Sequence, residues 1–348
     1  MSGDTGPRHS KRPRRSSQRR NGGHRATSSA AACPSRVRLD QLRRHEEFWL
    51  DDGTIVLVAQ DTAFRVYRGL LASQSTVFQD MLAASSPNAT EIFEGCPVVR
   101  LSDPPEELAH LLRAILPSNR RVYLGGQDEQ PPKYDEVAAV VRLTHIYQIE
   151  DVERQALAAL QYDRADYGNF SNPSVPLRIN YDRPRLDIGV VNIARLTNTP
   201  SLLPYSLYMC ANLGGEVLKG YTREDGSVEH LSPDDLRWCI DARSRLSCRG
   251  LAMCSRIFAD TVNKECTTRS SCCTSLKEAF WEVAQRGNPA KTCILDPWGH
   301  IISRSAVAHS ICPCCKQEML LRDEEECRAA WNALPEIFDL EIEGWGHV

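Results

Sequence analysis

The sequence predicts an α+β protein, with short strands among helices and then a mostly α-helical region. Three observations carry this. Thr54-Ile55-Val56-Leu57-Val58, entered through the turn signal Asp51-Asp52-Gly53, is too short and too β-branched for a helix and reads as a buried strand. After Tyr67 the apolar period lengthens from two to that of a helix, and Leu70, Leu71, Val77, Phe78, Met81 and Leu82 form a stripe. Beyond residue 187 the apolar residues keep helical spacing and helix-start signals recur.

The elements follow in order. A polar break at Gln60-Asp61-Thr62 returns the first strand as a second, Phe64-Arg65-Val66-Tyr67, which makes a hairpin. Ser73 and Ser75 stand where one helix stops and the next is capped. Ser85-Ser86-Pro87-Asn88 is a loop and Val98-Val99-Arg100-Leu101 a short strand. Ser102-Asp103-Pro104-Pro105-Glu106-Glu107 holds the parts of a helix start: a capping candidate, early prolines, and acids in the first turn. Leu108, Leu111, Leu112, Ile115 and Leu116 then share one helix face. Arg121-Val122-Tyr123-Leu124 reads as a last short strand, Tyr134 to Tyr147 as a helix and Ile149 to Leu160 as another.

The stretch from Phe48 to Leu82 resembles the opening of a BTB/POZ domain. The family pattern, roughly F-x-V-H-x-x-L-L-A-x-x-S-x-x-F-x-x-M-L, stands here as Phe64, Val66, Leu70, Leu71, Ala72, Ser75, Phe78, Met81 and Leu82. Two positions depart from it. The family's histidine is Tyr67, and the aspartate of its first strand is Thr54, so partner binding through that charged pair is not expected. The resemblance implies a BTB/POZ domain over residues 45–165, a short mixed sheet flanked by helices. It also implies self-association through Phe48, Trp49, Leu57, Phe64, Tyr67, Leu70, Leu71, Phe78 and Met81.

Residues 163–186 are rich in Pro, Asn and Asp, and we place a linker at 166–186. A helical, cysteine-rich region fills 187–348: Ile188 to Leu196, then Pro200 to Leu213, then a start at Leu231-Ser232-Pro233-Asp234-Asp235. The ending Trp331-Asn332-Ala333-Leu334-Pro335-Glu336-Ile337-Phe338 joins these motifs into a pattern similar to the helical C-terminal half of BTB proteins abundant in mushroom-forming fungi. No repeat of 20–50 residues is present, which argues against a propeller or solenoid.

Charge is unevenly spread along the 348 residues. Residues 1–44 hold twelve Lys/Arg against Asp4 and Asp40, so a basic arm precedes an acidic body. We read 1–44 as a disordered tail, within which Lys11, Arg12, Arg14 and Arg15 resemble a nuclear-import cluster. No aromatic side chains interleave these arginines, so nucleic-acid binding is not expected. Neither a membrane span nor a secretory signal is apparent, which points to a nuclear or cytoplasmic protein with reduced cysteines.

Eleven of the fourteen cysteines lie at or after Cys239. Cys266 and Cys272 (or Cys273), with Cys312 and Cys315 some forty residues on, form two thiolate pairs suited to one tetrahedral zinc. Cys312-x-x-Cys315 has the usual spacing, the first pair is wider, and His300 and His309 are spare nitrogen ligands. The alternatives are buried free thiols acting as small hydrophobes, which suits Cys239, Cys248 and Cys254, and a redox pair.

No G-x-S-x-G elbow, Walker loop, G-x-G-x-x-G or H-E-x-x-H occurs, and His145 lies on an apolar helix face, so no enzyme is expected. The expected role is a non-catalytic protein–protein interaction module, with protein partners or a second copy and no small-molecule substrate. One alternative is a substrate adaptor of a cullin-type ubiquitin ligase, although Ile115-Leu116-Pro117-Ser118-Asn119-Arg120 lacks the family's docking glutamate. Another is a nuclear, transcription-associated regulator.

Overall fold

The computed structural model describes residues 37–84, 91–116, 130–285, 293–299, 302 and 310–346. Five strands build one mixed sheet: β1 (Arg43–Trp49), β2 (Ile55–Ala59), β3 (Thr62–Val66), β4 (Ile92–Phe93) and β5 (Cys96–Leu101), in the order β1-β3-β2-β5-β4. The hairpin pairs Leu57 with Phe64, and β5 runs parallel to β2 with Leu57 beside Val99. Every residue of β2 is buried, which explains its unbroken apolar run. Side chains alternate across it. Ile55, Leu57 and Ala59 face helices α1 (Arg68–Gln74), α2 (Thr76–Ala84) and α3 (Pro105–Ile115), whereas Val56 and Val58 line the other face with Ala63 and Cys96.

That second face is enclosed by curling. Trp49, on one edge strand, meets the ring of Phe93, on the other, edge-on with centroids 6.0 Å apart. Arg44 of β1 forms an ion pair with Glu94 in the β4–β5 turn and lies over the Trp49 ring. The rims of the sheet are thus drawn together over Val56 and Val58.

Ser75 caps α2 as expected, its hydroxyl accepting the Phe78 N–H at 2.9 Å and donating to the Tyr147 carbonyl. The cap expected for α3 is not formed. Pro104 precedes the helix and Asp103 instead accepts from the Tyr147 hydroxyl. The strand expected at Arg121–Leu124 and the loop at Ser85–Asn88 lie outside the described residues.

The helical part comprises α4 (Tyr134–Tyr147), α5 (Glu150–Arg164), α6 (Tyr167–Ser171), α7 (Asp187–Leu196), α8 (Leu203–Asn212), a small hairpin of β6 (Tyr221–Thr222) and β7 (Val228–Glu229), then α9 (Pro233–Ile257), α10 (Arg269–Gln285), α11 (Pro313–Asn332) and α12 (Leu334–Ile337). Helix α4 serves two cores. Leu143 and Tyr147 pack under the sheet, while Tyr134, Val137, Val140 and Val141 belong to the large helical core. Arg38–Val348 accordingly cluster as one compact unit, with no break at the boundary placed after residue 165.

Two further expectations are corrected. The tail was drawn to residue 44, yet Leu39–Gln41 form a 3₁₀ turn and β1 begins at Arg43, whose guanidinium pairs with Asp61 at 3.0 Å. The linker at 166–186 is packed structure. It carries α6, it buries Ile179 and Leu186, and the Asp163 carboxylate accepts the Arg178 and Ile179 N–H groups and the Tyr181 hydroxyl. Composition misled because one buried aspartate satisfies the backbone that a periodic element would satisfy itself.

A charged cluster ties the sheet to the helical part. Arg142 of α4 donates to Glu107 of α3 at 2.5 Å and to Glu229 of β7 at 3.2 Å; Arg223 also pairs with Glu229, and Asn192 donates to it at 2.9 Å. Gly220 makes this approach possible. Its φ is +71°, and a Cβ there would lie 2.5 Å from the Glu229 carbonyl oxygen. Gly220→Ala is therefore expected to cost at least about 1–3 kcal/mol from backbone strain. A lower urea midpoint at unchanged m would show it, and an unchanged midpoint would contradict this account.

Candidate metal centre

The first turns of α10 and α11 converge on one point. After α9 the chain makes an Asx turn at Asn263, whose side-chain oxygen accepts the Glu265 N–H at 2.9 Å and whose carbonyl accepts the Cys266 N–H at 3.1 Å. Its side-chain amide donates to Glu318 of α11 at 3.1 Å, which fastens the loop to that helix. The Thr268 carbonyl accepts the Cys272 N–H, so Cys272 falls in the opening turn of α10. Cys312 is the N-cap of α11, Pro313 takes the first helical position, and Cys315 stands three residues on.

These constraints bring together the sulfurs of Cys266, Cys272, Cys312 and Cys315, all within 4.8 Å of one another. Cys312 Sγ lies 3.7 Å from Cys266 Sγ. Four thiolates at about 2.3 Å from a central ion have sulfurs about 3.8 Å apart, so the cage has the size of a tetrahedral thiolate site. Cys266, Cys272 and Cys315 are buried and Cys312 is half-buried.

The surroundings favour negative sulfur. Cys312 Sγ accepts the Cys315 N–H at 3.5 Å, Cys272 Sγ accepts the Cys312 N–H at 3.4 Å, and the Asn263 N–H donates to Cys315. The Thr268 hydroxyl lies 3.2 Å from Cys272 Sγ. The N–H of Cys315 is the main influence holding the Cys312 thiol down to about 7, while burial pushes that of Cys315 up. Both helices also aim their positive N-terminal ends at the cluster. The arrangement can hold a metal ion.

No protein-family model matches the chain, and no curated protein matches it.

Of the sequence-predicted ligands, Cys272 rather than Cys273 joins the set, and His300 and His309 lie outside the described residues. Cys239 and Cys254 are buried thiols of the helical core, whereas Cys248, grouped with them, is exposed on α9. Asn263, Thr268 and Glu318 were missed as supports; Asn263, three residues before Cys266, carried a turn signal that could have located the loop.

The residues expected to meet a partner divide in two. Leu57, Phe64, Leu71 and Phe78 are fully buried and Phe48 nearly so, because they point from strand and helix into the sheet's own core. A partner cannot touch those five. Trp49, Tyr67, Leu70 and Met81 are half-buried and keep a face in solvent. The Tyr67 hydroxyl donates to Asp52 at 2.5 Å. His145 is paired with Glu153 at 2.9 Å. Lys11, Arg12, Arg14 and Arg15 lie outside the described residues, as do residues 117–120 of the segment compared with a docking motif. Among the described residues no helix is long and apolar enough to cross a membrane.

Proposed function

We propose that this chain is a non-catalytic protein-interaction module of the BTB/POZ type whose helical part is fastened by one structural zinc ion on Cys266, Cys272, Cys312 and Cys315. The observation that carries the zinc is the convergence of these four sulfurs from two segments some forty residues apart. Thiolate ligands suit zinc, and four of them leave no open position, so the ion holds structure rather than activating water. The interaction reading is supported by the sequence resemblance and by an element order that accords with it: hairpin, helix pair, strand, helix, helix pair. Trp49, Tyr67, Leu70 and Met81 are the side chains available to a partner.

Elemental analysis of full-length protein purified without chelator tests the zinc; about one zinc per chain is expected. A folded, metal-free preparation with unchanged thermal stability would remove the zinc from this reading. Light scattering on the full chain tests the module. A dimer dispersed by Tyr67→Glu or Met81→Glu supports association through the opening segment, and a dimer indifferent to both counts against it.

A further inference from the structure

Among the described residues, nothing covers one outward stripe of helix α9. Its buried face holds Cys239, Ala242, Leu246, Gly250, Met253 and Ile257. On the outer side Ile240 is 57% exposed and Leu251 52%. They stand eleven residues apart, three helical turns, and so share a face. Ser244, Ser247, Cys248 and Ser255 fill the same line, with the exposed Asp241 along its edge beside Cys248. The stripe runs into a cleft of about 310 Å³ bordered by Ser255, Phe258, Asp260 and Trp281, and Trp281 is 62% exposed.

We propose that this stripe docks a second copy of the chain, α9 against α9, antiparallel about a two-fold axis between Ser247 and Cys248. Size sets the register. Ile240 then lies opposite the partner's Ser255, Leu251 opposite the partner's Ser244, and Ser247 opposite the partner's Cys248. Each large side chain meets a small one, so the axes approach to about 8–10 Å. Arg237, whose side chain is 64% exposed, falls opposite the partner's cleft, where Trp281 offers a ring face and Asp260 is already paired with Lys277 at 3.3 Å. A parallel pairing sets Ile240 on its own copy, Leu251 on its own copy and Arg237 against Arg237, which like charge disfavours. Self-complementarity of this kind is what a two-fold interface requires and what an unrelated partner does not. The surface involves neither the opening segment nor the four metal-site cysteines, so it is independent of the function proposed above.

The test is thiol cross-linking of the full-length, zinc-containing protein with 1,2-bismaleimidoethane, followed by peptide mapping. A peptide joining Cys248 to Cys248 can only come from two chains, whatever the opening segment does. The wild-type protein is expected to give it. Ser244→Leu sets leucine against leucine and should lower its yield about tenfold, the effect of a modest overpacking clash. The double variant Ser244→Leu, Leu251→Ser exchanges large and small across the same axis and should restore it. Both positions are exposed, and circular dichroism confirms that each variant stays folded. The proposal is overturned by absence of the Cys248 self-link while the exposed Cys293 reacts, by a yield indifferent to Ser244→Leu, or by failure of the double variant to recover.

Discussion

Cys272→Ser is expected to lower the zinc content from about one per chain to near zero and to lower the melting temperature by about 6 °C. The size follows from linkage. An ion present at a thousand times its dissociation constant stabilises the native state by about 4 kcal/mol. With an unfolding entropy of about 2.1 cal/mol/K per residue over the 348 residues, each kcal/mol moves the midpoint by about 1.4 °C. Cys272 is the sharpest choice because its side chain is fully buried and its sulfur accepts the Cys312 N–H. Serine there leaves that donor close to satisfied but removes a soft ligand. Cys254→Ser is the control: equally buried in the helical core but outside the four-sulfur set, it should cost stability and leave the zinc content unchanged. Loss of zinc from both variants would mean that the metal binds elsewhere. An EDTA-treated wild-type protein should melt where Cys272→Ser does, because both report the same missing bonds.

Residues 38–165 expressed alone are expected to be insoluble or molten, although the sequence marks them as a domain. Cutting after α5 strips the partner layer from Tyr134, Val137, Val140 and Val141 on α4 and from Ala156 and Leu160 on α5, all of which belong to the helical core. A contiguous apolar surface of that size drives aggregation in place of folding. Arg142 and Glu107 would also lose Glu229 and Arg223, leaving a charge pair cut out of its network. Far-UV and near-UV circular dichroism of the soluble fraction decide it. A fragment with native near-UV signal and a sharp melt would show that the sheet core is sufficient and that α4 is only leaning on the rest.

What the sequence disclosed follows physical lines. The hairpin, the two short helices and the Ser75 cap were legible because each is written locally, in a period or a capping residue. Ser232 before Pro233, whose hydroxyl accepts the Asp235 N–H at 3.1 Å, was legible for the same reason. Strand β1 was not, since Arg43, Arg44, Glu46 and Glu47 are charged and no alternation marks an edge strand anchored mainly by Phe48 and Trp49 at its far end. The β6–β7 hairpin was missed although Asp225-Gly226, with Gly226 at φ +81°, carries a strong two-residue turn signal; its strands are too short to show a period. At the metal centre Cys312 and Cys315 declared themselves by spacing. The wider interval from Cys266 to Cys272 looked unfavourable only because the residues between them also form the capping turn at Thr268.

The curl of the sheet bears on how the chain survives at high concentration. Ile55–Ala59 is a short, uncharged, proline-free apolar segment, the composition that seeds fibrils when exposed. It occupies the middle of the sheet, hydrogen-bonded to β3 and β5, and cannot be reached without first parting the rims. Those rims are held by Trp49 on Phe93 and Arg44 on Glu94, and β1 itself is lined with charge. An incoming strand meets charged side chains of both signs along β1 and a seam closed by Trp49 on Phe93. Trp49 and Arg44 therefore act as gatekeepers against polymerisation, guarding the segment that most needs it.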